Sequence, residues 1–347
     1  MLKSLSKIYG FFVRKRNREF DSGKRPSVAF ELPIISVGNL NTGGTGKTPH
    51  VEYLVELLKP HFSVAILSRG YGRKTKGFRL GSDVDSADSL GDEPFQYLRK
   101  YGSSSTEQET TGKLVSVAVS ESRVIGVSEL IARCNPEVIL LDDAFQHRQI
   151  KPGFQIVLTT FQEPYTRDSL IPAGRLREPI EGADRADVVM VTKCPTESTD
   201  EEQMKLGAEL QIKDHQQLFF SSFEYGAIRP EGEVIIESPK RAYALCGIAK
   251  PDPFLKQIKK RYELKGLQIH RDHYRFTKKD IQRLRRDATP FLNGETIILT
   301  TEKDFVRLLP LKDLWRDLPI YTWPIKPVIS AHERFDSMIL DYVRKSK

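Results

Sequence analysis

Cysteine is scarce in this chain of 347 residues, and the three present, Cys134, Cys194 and Cys246, stand far apart. That spacing argues against a disulfide framework and carries no metal-ligand rhythm. The thiols read as small apolar packing residues in a reducing cytoplasm. Long hydrophobic runs are missing too. In the N-terminal segment the longest uncharged apolar stretch is Ile8 to Val13, far short of the roughly 20 residues that cross a bilayer. No small-residue cleavage site follows it, so a secretory signal is not expected. Positive charge is thin beyond residue 25, because the first 25 residues carry +6 of the formal +8. Nucleic-acid binding is disfavoured on that ground. Internal repeats are absent. At 39% hydrophobic residues the chain can bury ordinary cores, and its length suggests about two domains.

The N-terminal charge sits on a pattern. Lys3, Lys7, Arg14, Lys15, Arg16, Arg18, Lys24 and Arg25 are countered only by Glu19 and Asp21. Wound at 100° per residue, Leu2, Leu5, Ile8, Tyr9, Phe12, Val13 and Phe20 fall within an arc of about 140°. Lys3, Lys7, Arg14 and Arg18 take the opposite side, while Arg16 intrudes on the apolar one. A basic amphipathic helix with aromatic residues suits the interface of an anionic membrane. A helix packed on its own domain with a solvated basic side gives the same pattern, and the residues alone leave both open.

Residues 35–50 carry the strongest signal. Gly43-Gly44-Thr45-Gly46-Lys47-Thr48 follows the apolar run Pro33–Val37 and precedes the helical spacing Val51, Leu54, Val55, Leu58. Strand, glycine-rich loop and helix in that order form the context of a phosphate-binding loop. Glycines let backbone N–H groups turn inward around phosphate oxygens, and the helix N-terminus adds partial positive charge. Lys47 is expected to reach the β- and γ-phosphates and the Thr48 hydroxyl to ligate Mg²⁺. Asn41 and Thr42 open the loop, Asn41 standing where the strict pattern has glycine. The expected ligand is a nucleoside triphosphate.

Beyond an arm over residues 1–25, strand and helix signals alternate. Strands are expected at Pro33–Val37, Ser63–Leu67, Leu114–Val119, Val138–Leu141, Ile156–Thr159 and Val188–Thr192, with helices from His50 and over Arg123–Arg133. This predicts a P-loop-containing α/β/α domain with a mostly parallel sheet over 26–222. Thr75–Leu90 and Gly102–Gly112 read as polar loops or lids. A second, smaller α/β domain is expected over 223–330. Its strands are Tyr243–Cys246, Thr296–Thr301 and Ile320–Trp323, its helix is Pro253–Tyr262, and a capping box at Thr277–Asp280 opens another helix. Residues 331–347 are expected as a C-terminal helix packing back on the first domain.

Several clusters could carry chemistry. The apolar Val138–Leu141 ends in Asp142 and Asp143, where P-loop enzymes place a Mg²⁺-binding carboxylate. Gln146 and His147 follow in the same loop. Asp92, in Gly91-Asp92-Glu93-Pro94, reads on its own as a helix cap. Arg175, Arg177 and Glu178 lie on a Pro/Gly-bounded loop. Guanidiniums there fit phosphates and Glu178 could ligate metal, but a solvated loop fits equally. His270 to Phe276 and Thr301-Glu302-Lys303-Asp304 are further candidates in the second domain.

Taken together these stretches resemble one family, the tetraacyldisaccharide 4'-kinases, which are the lipid A 4'-kinases of Gram-negative bacteria. The resemblance rests on Val37-Gly38-Asn39-Leu40 with Gly43–Pro49, Ser68-Arg69-Gly70-Tyr71-Gly72, Gly91-Asp92-Glu93-Pro94 and Asp142-Asp143-Ala144-Phe145-Gln146-His147. It continues through Pro172-Ala173-Gly174 with Leu176-Arg177-Glu178, Asp272-His273-Tyr274 and Thr301-Glu302-Lys303-Asp304, all in the family's order. The family has glycine at the Ala144 position and none at Asn41. The resemblance implies two α/β domains with ATP and the lipid meeting in the cleft. It implies transfer of the ATP γ-phosphate to the 4'-hydroxyl of a tetraacyldisaccharide 1-phosphate, the lipid A precursor. It makes Asp92 the base and His273 its partner, gives Mg²⁺ to Thr48, Asp142, Asp143 and Glu178, and sets Lys47, Arg123 and Arg177 on phosphates with Gln146 near the nucleotide. It also implies that the arm docks a monomer on the cytoplasmic face of the inner membrane. The rivals are weaker. A GTPase switch would need an aspartate where Thr192-Lys193-Cys194-Pro195 has proline, and a non-enzymatic membrane module leaves the loop and the paired aspartates unexplained.

Overall fold

The computed structural model describes residues 2–102 and 113–346. The expected loop at Gly102–Gly112 falls outside them except for Gly102. In chain order the first elements are α1 (Leu2–Asp21), β1 (Ile34–Asn39), α2 (Lys47–Leu58), β2 (Val64–Ser68), β3 (Arg79–Leu80), α3 (Ala87–Leu90) and α4 (Asp92–Tyr101). β4 (Val115–Val119), α5 (Arg123–Cys134), β5 (Val138–Asp142), β6 (Phe154–Thr160), β7 (Val188–Thr192), α6 (Asp200–Leu210) and β8 (Gln217–Tyr225) follow. Next come β9 (Arg229–Pro230), β10 (Arg241–Cys246), α7 (Asp252–Arg261), β11 (Glu263–Ile269), α8 (Lys278–Ala288), β12 (Thr296–Thr300), α9 (Glu302–Leu308) and β13 (Ile320–Thr322). β14 (Ile325–Ile329) and α10 (His332–Lys345) end the chain. Two compact units result, Met1–Glu224 with Lys326–Lys347, and Tyr225–Ile325.

The first unit holds a nine-stranded sheet in the order β14-β8-β7-β6-β1-β5-β2-β4-β3. From β8 across to β4 the strands pair in parallel, and β3 runs antiparallel to β4. β1, β5 and β7 are buried along their whole length, which is why they read as continuous apolar runs rather than alternating ones. Alternate side chains serve opposite faces. Ile35 and Val37 of β1 pack with Val51, Leu54 and Val55 of α2, Tyr97 of α4, and Phe335, Ile339 and Val343 of α10. Ile34, Ile139 and Leu141 pack on the other face with Val127 and Leu130 of α5. Each such side chain contributes about 1.5–3 kcal/mol by leaving water. The result is a three-layer α/β/α unit.

Two expectations are corrected here. Residues 326–329, read as part of the small domain, add β14 to the edge of the large sheet. The helix expected from His50 begins at Lys47, because Gly46 adopts φ 86 and so turns the chain directly into α2. Thr75–Leu90 is mostly turn, broken by the short β3 and α3. The second unit carries a five-stranded sheet, β11-β10-β12-β13-β9, parallel except at β9. Its two cores form around Trp315 on one side and Trp323 on the other.

Candidate active site

β1 runs at the middle of the large sheet, between β6 and β5, and delivers the glycine loop at its carboxyl end, where open parallel sheets bind ligands. Gly43, Gly44 and Gly46 all have positive φ, at 83, 57 and 86. A Cβ added at Gly43 or Gly44 would meet nothing within 4 Å, so space beside the loop backbone is open. Gly46 supplies no side-chain cap to α2, which leaves the first N–H groups of that helix for an anion. Side chains hold the loop from behind. Asn39 Nδ2 donates to Thr45 Oγ1 at 2.9 Å, and Thr192 Oγ1 donates to the Thr45 carbonyl at 2.8 Å. His50, fully inside, bridges the Gly46 carbonyl (Nδ1, 2.8 Å) and Ser221 Oγ (Nε2, 2.9 Å). A carbonyl can only accept, so Nδ1 carries the proton and Nε2 receives one from Ser221. Burial drops the His50 pKa to about 4.

Asp142 ends β5 directly beside β1, in register with Val37. It is buried and accepts from Ser68 Oγ at 3.0 Å. Burial first, and then the Asp143 charge, raise its pKa to about 6 against the pull of Lys47. Asp143 is the opposite case. Burial would raise it, but Lys47 and then Arg177 hold it well below the usual carboxylate range. Lys47 Nζ lies 3.6 Å from Asp143 Oδ1 and donates to Asn39 Oδ1 at 3.3 Å. Arg177 grips Asp143 with two parallel bonds of 2.7 and 3.1 Å and also reaches the Asn39 carbonyl and side chain. Lys47, Asp142, Asp143 and Arg177 thus lie together, and Thr48 follows Lys47 in the first turn of α2. Arg177 Nε and Asn41 Oδ1 are buried without a hydrogen-bond partner among the described residues. These orphaned groups and the open loop fit a bound polyphosphate. Among the described residues no group of three or more His, Cys, Asp or Glu side chains could hold a metal. A hydroxyl and two carboxylates beside a phosphate site suit Mg²⁺, which keeps water and phosphate ligands, better than an all-protein cage.

Three expected residues are bonded elsewhere. Glu178, expected as a metal ligand, is fully buried and accepts from Arg185 (2.9 Å), Gln146 (2.8 Å) and Asn17 (3.3 Å), so its oxygens face donors rather than the loop. Gln146 donates to that carboxylate and to the Asn39 carbonyl (2.9 Å), so its amide braces the P-loop strand while its Oε1 has no partner among the described residues. Arg123, expected on phosphate, is buried and donates to the Ser120 (2.7 Å) and Asp142 (3.2 Å) carbonyls. It holds the end of β5, and burial lowers its pKa to about 10. His147 is likewise pushed down, to about 4, by burial and then by Arg123 and Arg69.

Asp92 opens α4, one residue after Gly91, which itself takes the cap position at φ 95. The Ser68–Gly72 segment explains that glycine. A Cβ on Gly91 would lie 2.9 Å from the Tyr71 carbonyl, and one on Gly70 would lie 2.8 Å from the Leu90 carbonyl. The backbone leaving β2 and the backbone entering α4 therefore touch, and both glycines are required at positive φ. Asn39 and Ser68 are site residues that sequence reasoning left without a role, since an uncharged side chain beside a strand end gives no signal by itself. In the second unit, His273 has φ 55 and its ring nitrogens lie 3.3 Å from Arg307 and from Lys303. In Thr301-Glu302-Lys303-Asp304, Thr301 caps α9, and buried Asp304 accepts from the Gly247 N–H and pairs with Arg307, while Lys303 is the residue beside His273.

α1 combines the two readings of its pattern. Ser6, Gly10 and Val13 are buried, and a Cβ on Gly10 would sit 2.6 Å from Leu170. Ser6 accepts from the Ala173 N–H and donates to the Leu170 carbonyl, and Tyr9 Oη reaches the Arg177 carbonyl. Tyr9 and Val13, placed on the apolar arc, thus face the protein. Leu2, Leu5, Ile8, Phe11 and Phe12 are exposed. No described helix is long and apolar enough to cross a membrane.

A glycine loop on β1, with Lys47 drawn to a carboxylate just past the end of the neighbouring strand, defines a phosphotransferase of the P-loop class. The comparisons narrow this. A family profile described as tetraacyldisaccharide-1-P 4'-kinase matches residues 1–344. A tetraacyldisaccharide 4'-kinase of Flavobacterium johnsoniae is 40% identical over 98% of this chain and 95% of its own. One of Bacteroides fragilis is 39% identical over 98% and 92%. A crystal structure of LpxK from Aquifex aeolicus in complex with ATP superposes at a TM-score of 0.76, with 28% identity and 98% of each chain covered. The chain belongs to the tetraacyldisaccharide 4'-kinase family.

Proposed function

We propose that this kinase transfers the γ-phosphate of ATP to the 4'-hydroxyl of tetraacyldisaccharide 1-phosphate at the cytoplasmic face of the inner membrane. The observation that carries the nucleotide half is the open glycine loop with Lys47, Thr48, Asp142, Asp143 and Arg177 around it. Loop N–H groups from Asn41 to Thr48 cradle the phosphates. Lys47 and Arg177, now held on Asp143, move part of their charge to the transferring group. Mg²⁺ held by Thr48, Asp142 and Asp143 would neutralise phosphate charge. Asp92, fixed at a helix start where negative charge is favoured, takes the hydroxyl proton, and His273 assists it.

The exposed apolar residues of α1 beside its basic side chains support membrane docking by a monomer, since a tetraacylated acceptor stays in the bilayer. Incubation with ATP, Mg²⁺ and the lipid disaccharide tests the reading. It expects a second phosphate on the lipid, and release of free phosphate alone would overturn it. Phe11→Ser/Phe12→Ser should weaken vesicle binding, most clearly on anionic lipid at low salt. Undiminished flotation would remove the docking role.

A further inference from the structure

Thr192, the last residue of β7, is wholly buried and opens the Thr192-Lys193-Cys194-Pro195 stretch, which the kinase chemistry leaves without a role. Two acceptors lie within reach of its hydroxyl hydrogen, the Thr45 carbonyl at 2.8 Å and the Thr159 carbonyl at 3.1 Å. The nearer one belongs to the glycine loop. The backbone behind the hydroxyl is fixed, since Thr192 pairs with Thr160 of β6 and its own carbonyl accepts from the Phe161 N–H at 2.9 Å.

Thr45 needs such a hold. It is buried, so its carbonyl must find a donor. α2 does not supply one. The helical ladder begins with the His50 N–H on the Gly46 carbonyl at 3.4 Å, and the residue four beyond Thr45 is Pro49, which has no N–H. Thr45 also stands between Gly44 and Gly46, both at positive φ. Glycine takes either sign of φ at little cost, so the peptide joining Thr45 to Gly46 turns over readily unless a group outside the loop holds it. In a trans peptide the carbonyl and the N–H that follows it point opposite ways. We infer that Thr192 is a positioning residue: its hydroxyl holds the Thr45 carbonyl toward β7 and so aims the Gly46 N–H away from β7, at a phosphate oxygen of the nucleotide. The inference rests on the nucleotide reading proposed above. It makes β7, which lies two strands from β1, part of the anion cradle.

The test is the Kd for ATP with Mg²⁺ of the full chain, measured without acceptor lipid, for the parent, Thr192→Val and Thr192→Ser. Valine keeps the shape and loses the hydroxyl, whereas serine keeps the hydroxyl and loses a packed methyl. Both nucleotide-free variants should melt below the parent, one for an unpaired carbonyl and the other for a small void. Affinity should separate them. Thr192→Val should bind ATP about tenfold more weakly, or about 1.4 kcal/mol, and Thr192→Ser should stay within about threefold of the parent. Parental affinity in the valine variant overturns the inference. Equal weakening in both variants overturns it as well, since that would assign Thr192 to the packing of β7. Thr192→Ala, which also lacks the hydroxyl, serves if the valine variant does not fold. A parent that binds no ATP would sink the nucleotide reading instead, a distinct outcome.

Discussion

Tyr9 Oη donates to the backbone carbonyl of Arg177 across 2.6 Å. The guanidinium of the same arginine grips Asp143, so the helix with exposed apolar residues is one hydrogen bond from a residue of the phosphate site. Tyr9→Phe removes that bond and little else. A net hydrogen bond is worth about 0.5–1.5 kcal/mol of stability, so the variant should be less stable by about that amount, and turnover should fall as the Arg177 backbone loosens. Vesicle flotation should stay unchanged, because Tyr9 faces the protein. Unaltered turnover would leave the bond a purely structural one.

Lys47→Ala should cost orders of magnitude in turnover, since it removes charge from the transferring phosphoryl. Asp142→Asn should do the same and yet stabilise the nucleotide-free protein. The Asp142 pKa of about 6 lies above that of an unfolded chain, so the native state binds the proton more tightly. Stability therefore declines as pH rises from about 4 to about 6 and stays reduced above it. Removing the charge should return roughly 1–3 kcal/mol at neutral pH. Calorimetric melting at pH 7.5 checks the sign.

His50 titrates in the opposite sense. Its folded pKa, about 4, lies below the unfolded value of 6.5. The stability it permits is complete above about pH 6.5 and is lost as pH falls toward 4, by up to roughly 3 kcal/mol. His50→Gln should flatten the slope of stability against pH across that window by close to one proton. An unchanged slope would mean that the imidazole is not the group that charges there.

Asp92→Asn should lower the chemical step by about 10²- to 10⁴-fold while ATP affinity holds. His273→Ala should lower it less. If both serve one proton transfer, the double variant loses less than the product of the two effects. Single-turnover measurements with lipid acceptor isolate the step. An Asp92→Asn enzyme with normal transfer but a lower melting temperature would return the residue to the start of α4 as a helix-stabilising acid.

Much of the fold was legible because the large sheet is covered on both faces. β5 and β7 are unbroken apolar runs ending in aspartate or threonine, β1 is one interrupted only by Ser36 before its glycine, and such runs announce themselves. β8, β11 and β14 were missed for the converse reason. They are partly exposed and mix charged or polar residues with apolar ones, and β14 contains Pro327. In the site, Lys47, Asp142 and Asp143 came from charge in the right local frame, while Arg177 came from the family resemblance, its loop alone reading equally well as solvated. Glu178 and Arg123 misled because a charged side chain in a motif reads alike whether it faces a ligand or is buried on Arg185 or a backbone carbonyl. Only tertiary contact separates those cases.

The return of the chain through β14 and α10 has a consequence in time. Phe335, Ile339 and Val343 complete the core beneath β1, and Tyr342 Oη bonds both the N–H and the carbonyl of Ile34 in that strand. A ribosome makes these residues only after the whole of the second unit. The strand that carries the phosphate loop therefore lacks this support until the second unit has been synthesised, and a chain stopped short of α10 emerges with an unfinished nucleotide site.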